Sequence, residues 1–109
     1  MLYELRTYHL IPEKIDEYMK QWAEVTHPLF VKLGFRPMGY WIEDKEGAKE
    51  LFYILAWNDM KERDEKFSAF QSHPEWLAVR ERRRAAGGGP TTTGITNTFW
   101  KPTAFSPSK

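Results

Sequence analysis

The segment 51–57 is apolar on both of its sides, and this restricts the fold of the chain more than any other feature of the sequence. Successive side chains of a β-strand point to opposite faces of a sheet. Neither set of alternate positions contains a charged residue, the two sets being Leu51, Tyr53, Leu55 and Trp57, and Phe52, Ile54 and Ala56. An antiparallel strand with one face in water would instead alternate apolar and polar residues. We therefore expect both faces to be covered, one by helices of the same chain and the other by a second copy of the sheet.

Hydrophobic periodicity predicts four strands and two helical regions in the order β-α-β-β-α-β. The segments that predict strands are residues 2–10, 35–43, 51–57 and 91–100. The first helical region runs from residue 14 to 33, with apolar residues every three or four positions. The second is interrupted and ends near Ala85. This split β-α-β order predicts a ferredoxin-like α+β subunit, with a four-stranded antiparallel sheet and helices on one face.

Turn and capping residues are expected to set the ends of these elements. Pro28 lacks a backbone N–H, which predicts a kink or break near His27. Gly34 is expected to end the first helical region as a left-handed cap. Asp59 and Ser72 are each followed three residues later by a glutamate, a pattern typical of a helix N-cap.

Length and composition indicate one domain without covalent cross-links. The 109 residues suffice for one domain, and we expect residues 1–100 to form its core and residues 101–109 a C-terminal tail. The Gly-Gly-Gly-Pro run at 87–90 is expected to be a linker. The absence of cysteine excludes disulfide and thiol chemistry. No apolar stretch approaches the roughly 18 residues of a membrane helix, and the N-terminus lacks a secretory signal pattern, so we expect a cytoplasmic protein with no membrane partner.

Positive charge is concentrated near the end of the chain. Residues 1–75 carry ten Lys and Arg against fourteen Asp and Glu, whereas residues 76–109 carry six against one. Most of the excess lies at Arg80, Arg82, Arg83 and Arg84. Clustered arginines could meet phosphates or an acidic partner, but cations in the last turn of a helix also complement the helix dipole. We favour the second interpretation and expect no nucleic-acid partner, because no aromatic residues are interleaved with this run.

One face of the predicted sheet combines charged and aromatic side chains. Glu4, Arg6 and Tyr8 share a face of the first strand, and Tyr53 and Trp57 of the third strand are expected on the same side. An aromatic wall with one cation suits a planar or acidic small molecule, so Arg6, Tyr8, Tyr53 and Trp57 are candidate ligand-binding residues. The alternative is an ion pair between Glu4 and Arg6 that is satisfied between two sheets inside a dimer core.

The three histidines give at most a weak catalytic candidate. His27, at the Pro28 break, could act as a base or a haem ligand, but a histidine before proline is more often exposed or part of a cap. His73 is expected to belong to the cap around Ser72. No histidine has the partners of a helical zinc site, and the chain lacks a nucleophile elbow, a phosphate-binding loop and a dinucleotide fingerprint. We expect no metal and no cofactor, with haem as an alternative.

Several motifs resemble those of the NIPSNAP family from one end of the chain to the other. They are the opening Tyr3-Glu4-Leu5-Arg6-Thr7-Tyr8, Gly39-Tyr40-Trp41 in the second strand, Arg63 and Pro74-Glu75-Trp76 in the helical region, and the ending Pro102-Thr103-Ala104-Phe105-Ser106-Pro107. The resemblance implies a single NIPSNAP-like domain over residues 1–109, whose ferredoxin-like subunit pairs into a dimeric α+β barrel. The sequence departs from the family pattern at Tyr53, where many relatives carry histidine, so a role built on that histidine does not carry over.

These observations leave three functions open. The first is a homodimeric small-molecule-binding protein with a cavity facing the sheet. The second, which the barrel fold implies by analogy, is a cofactor-independent monooxygenase-like or haem-handling enzyme, although fold does not fix function. The third is a non-enzymatic interaction module with a filled barrel. A cavity of about 300 Å³ or more with convergent polar groups would favour the first two.

The C-terminal tail is expected to act as a structural clasp. Leaving Phe105 in water forfeits about 2 kcal/mol relative to burying it. Pro102 and Pro107 reduce the entropy lost on ordering the segment. We therefore expect Phe105 to pack against its own subunit or across a dimer.

Overall fold

The computed structural model of the chain describes residues 1–85 and 92–107, with residues 92 and 93 described by their backbone only. Its four-stranded antiparallel sheet has the strand order β2-β3-β1-β4, so the α+β, ferredoxin-like fold class is confirmed. The strands are β1 (Leu2–Leu10), β2 (Arg36–Ile42), β3 (Glu50–Trp57) and β4 (Thr92–Trp100). The helices are α1 (Ile15–Gln21), α2 (His27–Lys32), α3 (Met60–Gln71) and α4 (Pro74–Ala85).

A π-helical turn over Trp22–Thr26 joins α1 to α2. The backbone N–H of His27 donates to the carbonyl of Trp22, five residues back instead of four. Because Pro28 has no N–H, the regular helical ladder cannot pass through it, and the wider turn absorbs the interruption just before the proline. The predicted break near His27 is confirmed. Gly34 then ends α2 with a φ of +83°, as expected of a left-handed cap.

The capping predictions for α3 and α4 have different outcomes. Asp59 caps α3 as expected, since its side chain accepts a hydrogen bond from the backbone N–H of Glu62. Ser72 does not cap α4: its hydroxyl donates to the carbonyl of Ser68 at the end of α3. Nδ1 of His73 takes the place predicted for Ser72 and accepts from the backbone N–H of Glu75. The imidazole reaches this donor because α4 begins at Pro74.

The core lies between the helices and one face of the sheet, and it is mainly aromatic. Tyr53, Leu55 and Trp57 of β3 are fully buried on this face. Phe30 of α2 stacks on Phe35 with ring centroids 4.3 Å apart, and Phe35 meets Trp57 edge to face at 5.1 Å. Such pairs add to the stabilisation that burial of aromatic area supplies. The expected helix-covered face of β3 is therefore confirmed.

The opposite face of the sheet carries large apolar side chains that this chain does not cover. Trp41 and Trp100 remain 50% and 47% exposed on it. The Trp41 ring lies over Gly39, where a Cβ atom would come within 2.7 Å of the ring, so the glycine is what lets the indole lie against the strand. The prediction that a second copy covers this face is not tested by a single chain.

The tail turns back after β4. The backbone N–H of Ser106 donates to the carbonyl of Thr103. Phe105 is 87% exposed, so the expectation that it packs against its own subunit is wrong. Packing across a dimer stays a prediction. The linker expected at residues 87–90 lies outside the described residues.

Candidate functional site

Glu4 is the centre of a buried polar network on the helix-covered face. It is 0% exposed. Arg63 and Arg6 each form an ion pair with the Glu4 carboxylate. Arg63 donates to it through Nε and Nη2 at 3.1 and 3.0 Å, and Arg6 donates through Nη1 at 3.0 Å. Trp57 Nε1 and Asn97 Nδ2 each donate at 3.1 Å. The carboxylate thus receives hydrogen bonds from all three neighbouring parts of the fold, namely β3, β4 and α3.

These contacts set the charge state of Glu4. Burial raises the pKa of the Glu4 carboxyl, but the hydrogen bonds from Arg63 and Asn97 and the charge of Arg6 outweigh burial, so the net pKa lies below its ordinary value. The guanidinium groups of Arg63 and Arg6 also both lie close to the ring of Phe67, with their Cζ atoms 4.7 and 4.8 Å from its centroid. Glu4 is therefore an ionised and fully paired structural anion.

The rest of Arg6 organises two tyrosines. Its Nε donates to the hydroxyl of Tyr53 at 2.7 Å and its Nη2 to the hydroxyl of Tyr8 at 3.2 Å. The Tyr53 hydroxyl in turn donates to that of Tyr8 at 3.1 Å. Burial raises the pKa of Tyr53 well above its ordinary value, and the neighbouring Tyr8 raises it further, so Tyr53 keeps its proton at neutral pH.

The structure therefore brings together the four ligand-binding residues predicted from the sequence, Arg6, Tyr8, Tyr53 and Trp57. Tyr53 and Trp57 are 0% exposed and the Arg6 side chain only 12%, so they form a packed network and not the wall of an open cavity. The alternative prediction, an ion pair between Glu4 and Arg6, is present. Its expected place between two sheets is wrong, because both side chains lie on the helix-covered face.

Sequence reasoning missed Arg63 and Asn97 as partners of Glu4. Asp59 fixes the start of α3, which places Arg63 in its first turns and over the sheet. Asn97 pairs with Arg6 across β1 and β4, two residues from Phe99 on the same face. A lone asparagine in a threonine-rich strand was the available signal, but only the strand register could show that it meets Glu4.

An open cavity of about 350 Å³ lies beside this network, between the π-helical turn and strands β2 and β3. Its lining residues are Met19, Trp22, Ala23, His27, Tyr40 and Leu51. One polar pair interrupts the apolar wall, formed by Nδ1 of His27 and the hydroxyl of Tyr40 at 2.8 Å. Burial raises the pKa of Tyr40 above its ordinary value, so Tyr40 is protonated and can donate to His27. His27, the weak catalytic candidate, is the predicted site residue that reaches this cavity.

This cavity, which we call the His27 pocket, owes its position to the helix interruption. The π-helical turn ends at Thr26, so the widened backbone and the start of α2 together place His27 over Tyr40, whose ring lies 5.3 Å away at 89°. Trp22, from the same turn, forms the boundary between the pocket and the buried Tyr53, with ring centroids 4.9 Å apart. π-Helical turns often occur at functional sites.

A second concavity lies on the uncovered face of the sheet. It has a volume of about 440 Å³, and its lining includes Tyr3, Met38, Trp41, Ile54, Trp100 and Pro102. We call it the outer groove. Its walls come from strands β1 to β4 and from the tail, so it belongs to the surface on which a second copy is predicted.

The arginine cluster has two environments. Arg82, Arg83 and Arg84 lie in the last turn of α4, which confirms the predicted position of these cations at a helix end. Arg84 pairs with Glu81 at 2.7 Å on the exposed surface. Arg83 turns inward instead, with its Cζ 5.8 Å from the centroid of the Tyr18 ring and 6.0 Å from that of Trp76. The run is thus not one continuous solvated patch.

Within residues 1–85 and 92–107, no group of three or more His, Asp or Glu side chains is arranged to hold a metal ion. None of the described helices is both long and apolar enough to span a membrane.

Comparison with known proteins gives the family of the chain. A NIPSNAP family protein of Agrobacterium tumefaciens has 22% identity and a TM-score of 0.83, with 99% of this chain and 98% of that chain covered. A second family protein from that organism, described as having unknown function, has 27% identity and a TM-score of 0.78 over 98% and 92% of the two chains. An antibiotic biosynthesis monooxygenase shares the fold at 13% identity, with a TM-score of 0.61 over 94% and 99%.

A comparison with proteins of curated function finds no match. The sequence pattern of the NIPSNAP family matches residues 3–107, which is nearly the whole chain. This agrees with the motifs at both ends of the sequence and with the sheet topology. The chain belongs to the NIPSNAP family.

Proposed function

We propose that this NIPSNAP protein is a homodimeric binding protein for a small aromatic molecule, which occupies the His27 pocket. The observation that carries the proposal is a cavity of about 350 Å³ with one polar pair in an otherwise apolar, aromatic wall. Ligand pockets combine these features, and volumes near 300 Å³ are at the lower end of their range. The size suits one small ring system, and the His27–Tyr40 pair supplies a hydrogen-bonding contact that orients it.

Filling the pocket tests this proposal. Benzyl alcohol is a suitable probe because it has one aromatic ring and one hydroxyl, and calorimetry should give a Kd of about 1 mM or below. Ala23 lines the pocket, so Ala23→Leu should occupy part of its volume and weaken binding at least about tenfold. Ala69→Leu is the matched control, because Ala69 is exposed on α3 and outside the pocket lining. Equal binding by both variants would refute the location.

The homodimer would use the uncovered face of the sheet. Four large apolar side chains line the outer groove. Met38, Trp41 and Trp100 are about half exposed, and Ile54 is partly exposed. A two-fold symmetric interface uses the same surface of both copies, and contiguous exposed apolar patches often mark an interaction surface. A second copy of the sheet would cover β3 on the side that its own helices leave open.

Sedimentation at micromolar concentration tests the dimer. The expected mass is twice that of the 12.9 kDa chain. Trp41→Lys should shift the protein toward monomer, because a charge would then have to be desolvated at the interface. Leu77→Lys is the control, since Leu77 is a similarly exposed apolar residue on α4. A wild-type monomer, or equal dissociation of both variants, would contradict the assignment of this face.

A monooxygenase-like activity is the second candidate. The fold shared with an antibiotic biosynthesis monooxygenase supports it by analogy only, and the His27–Tyr40 pair offers a base within the pocket. Incubating the protein with oxygen and an electron-rich phenol tests this activity. Consumption of oxygen by the wild-type protein, and its absence with the His27→Gln variant, would favour an enzyme.

Haem binding is the weaker alternative, because the volume of the His27 pocket fits a single ring system and not a porphyrin. An absorbance titration with haemin tests it.

A further inference from the structure

Three of the side chains that line the His27 pocket contain nitrogen or oxygen atoms, namely those of Trp22, His27 and Tyr40. The indole N–H of Trp22 is not available to a ligand, because it is hydrogen-bonded to the Tyr18 hydroxyl. The Tyr40 hydroxyl is paired with Nδ1 of His27 at 2.8 Å. This leaves Nε2 of His27, for which the part of the chain that the structure describes supplies no hydrogen-bond partner. One ring nitrogen therefore decides which polar groups a ligand can bring into the pocket.

Whether Nε2 of His27 donates or accepts depends on the Tyr40 hydroxyl. In a neutral imidazole one nitrogen carries the proton and the other accepts a hydrogen bond. Burial raises the pKa of Tyr40 above its ordinary value, so its hydroxyl keeps a proton that needs an acceptor. Within residues 1–85 and 92–107, Nδ1 of His27 is the acceptor in reach of this hydroxyl. The Tyr40 hydroxyl therefore donates to Nδ1, and the imidazole proton is on Nε2.

The reverse direction of this hydrogen bond is less favourable. If Nδ1 of His27 carried the proton and donated to the Tyr40 oxygen, the hydroxyl proton would lack an acceptor in an otherwise apolar wall. Leaving a partly buried polar group unpaired costs its desolvation free energy. The imidazole is also held edge to face against the Tyr40 ring, with centroids 5.3 Å apart at 89°. Tyr40 thus determines both the orientation of the imidazole and which of its nitrogens is protonated.

We propose that Tyr40 makes His27 a hydrogen-bond donor to the ligand, so that the His27 pocket selects small aromatic molecules with an acceptor oxygen, such as aryl aldehydes and ketones. This inference rests on the proposed function and narrows its ligand class. A carbonyl oxygen is an acceptor only and would receive the Nε2 proton. An aromatic molecule whose polar group is only a donor would instead place two N–H groups against each other, which disfavours its binding. Tyr40 is then the positioning residue, and His27 contacts the ligand.

Acetophenone and indole test the ligand class, because they are close in size and the first is an acceptor only whereas the second is a donor only. By calorimetry at about pH 8, where imidazole side chains are ordinarily neutral, acetophenone should bind the wild-type protein at least about fivefold more tightly. Tyr40→Phe should reduce this preference, because either ring nitrogen of His27 can then carry the proton. Tyr3→Phe is the matched control: it removes a tyrosine hydroxyl outside the pocket lining and should leave the preference unchanged.

¹⁵N NMR of the imidazole ring gives a second measurement, which needs no ligand. The chemical shifts of the two ring nitrogens show which one carries the proton, and comparison with His27→Gln identifies the signals of His27. We expect the proton on Nε2 in the wild-type protein. A proton on Nδ1 would overturn the inference.

The outcomes separate this inference from the proposed function. If acetophenone and indole bind equally, or if indole binds more tightly, the pocket stands and its selection of acceptors is wrong. Equal changes in the preference of Tyr40→Phe and Tyr3→Phe would show that Tyr40 does not set the specificity. If neither probe binds, the proposed function fails and this inference fails with it.

Discussion

Replacing Glu4 with glutamine tests the buried network directly, because the two side chains have nearly the same shape. The substitution removes the negative charge from a fully buried group that receives hydrogen bonds from Arg6, Arg63, Trp57 and Asn97. It also introduces an amide N–H₂ that faces other donors. Two guanidinium groups lose their shared counterion without any change in core volume.

The magnitude follows from burial. Removing one partner of a buried ion pair costs about 3–5 kcal/mol. The Arg6 and Arg63 side chains keep 12% and 21% exposure, so water can recover part of this loss. We therefore expect Glu4→Gln to lower the free energy of unfolding by about 3 kcal/mol, a large share of the roughly 5–15 kcal/mol that folded domains possess.

Urea denaturation measures this change. Glu65→Gln is the control, because Glu65 is exposed on α3 and such substitutions usually stay within about 0.5 kcal/mol. Arg63→Met, alone and combined with Glu4→Gln, completes a double-mutant cycle, and the two residues should show a coupling of about 1 kcal/mol or more. A Glu4→Gln loss below about 1 kcal/mol, similar to that of the control, would refute the argument that the network holds β1, β3, β4 and α3 together.

Three further predictions follow from individual contacts. Tyr40→Phe removes the hydroxyl beside His27 and should weaken calorimetric binding of benzyl alcohol but not of toluene; equal weakening of both would contradict a hydrogen-bonding role. Arg36 and the Asn58 backbone N–H lower the pKa of Glu62 from 4.5 to about 2, so this group stabilises the fold above pH 4.5 and loses that effect as pH falls toward 2. Glu62→Gln should therefore make the acid dependence of urea unfolding shallower in that range, and an unchanged slope would contradict it. Phe105→Ala should leave the unfolding of monomer unchanged, because Phe105 is 87% exposed, but should raise the dimer dissociation constant measured by sedimentation; no change in dissociation would show that the tail does not cross the dimer.

The order of strands and helices along the chain and the helix interruption could be predicted because they depend on local chemistry. The two-sided apolar pattern of β3 required helices on one face, and Pro28 required a break in the first helical region whatever the tertiary structure. Gly34 needed a positive φ, which few other residues adopt readily. In each case a single residue, or the spacing of apolar residues within one segment, determined the local structure.

The site was harder to predict because it depends on which face of the sheet meets the helices. The face that carries Glu4 and Arg6 was correctly separated from the other, but alternation in a strand does not say which face is inside one chain. Leu55 illustrates the consequence: the apolar pattern alone does not say whether it faces the helices or a second sheet, but Leu55 is 0% exposed within one chain, so a charge there would disrupt the fold itself. Pairings across many residues, such as that of Arg63 with Glu4, depend on packing that no local pattern contains.

Methyl NMR of the four methionines tests the central claim most directly. Met19 lines the His27 pocket, Met38 lines the outer groove, and Met60 is exposed in the first turn of α3 outside both linings. Titration with benzyl alcohol should shift the Met19 methyl resonance and leave those of Met38 and Met60 in place. Dilution should shift Met38 alone as the dimer dissociates. The proposed pocket would be contradicted if benzyl alcohol shifted the Met38 resonance instead of that of Met19, or shifted all four methionine resonances alike.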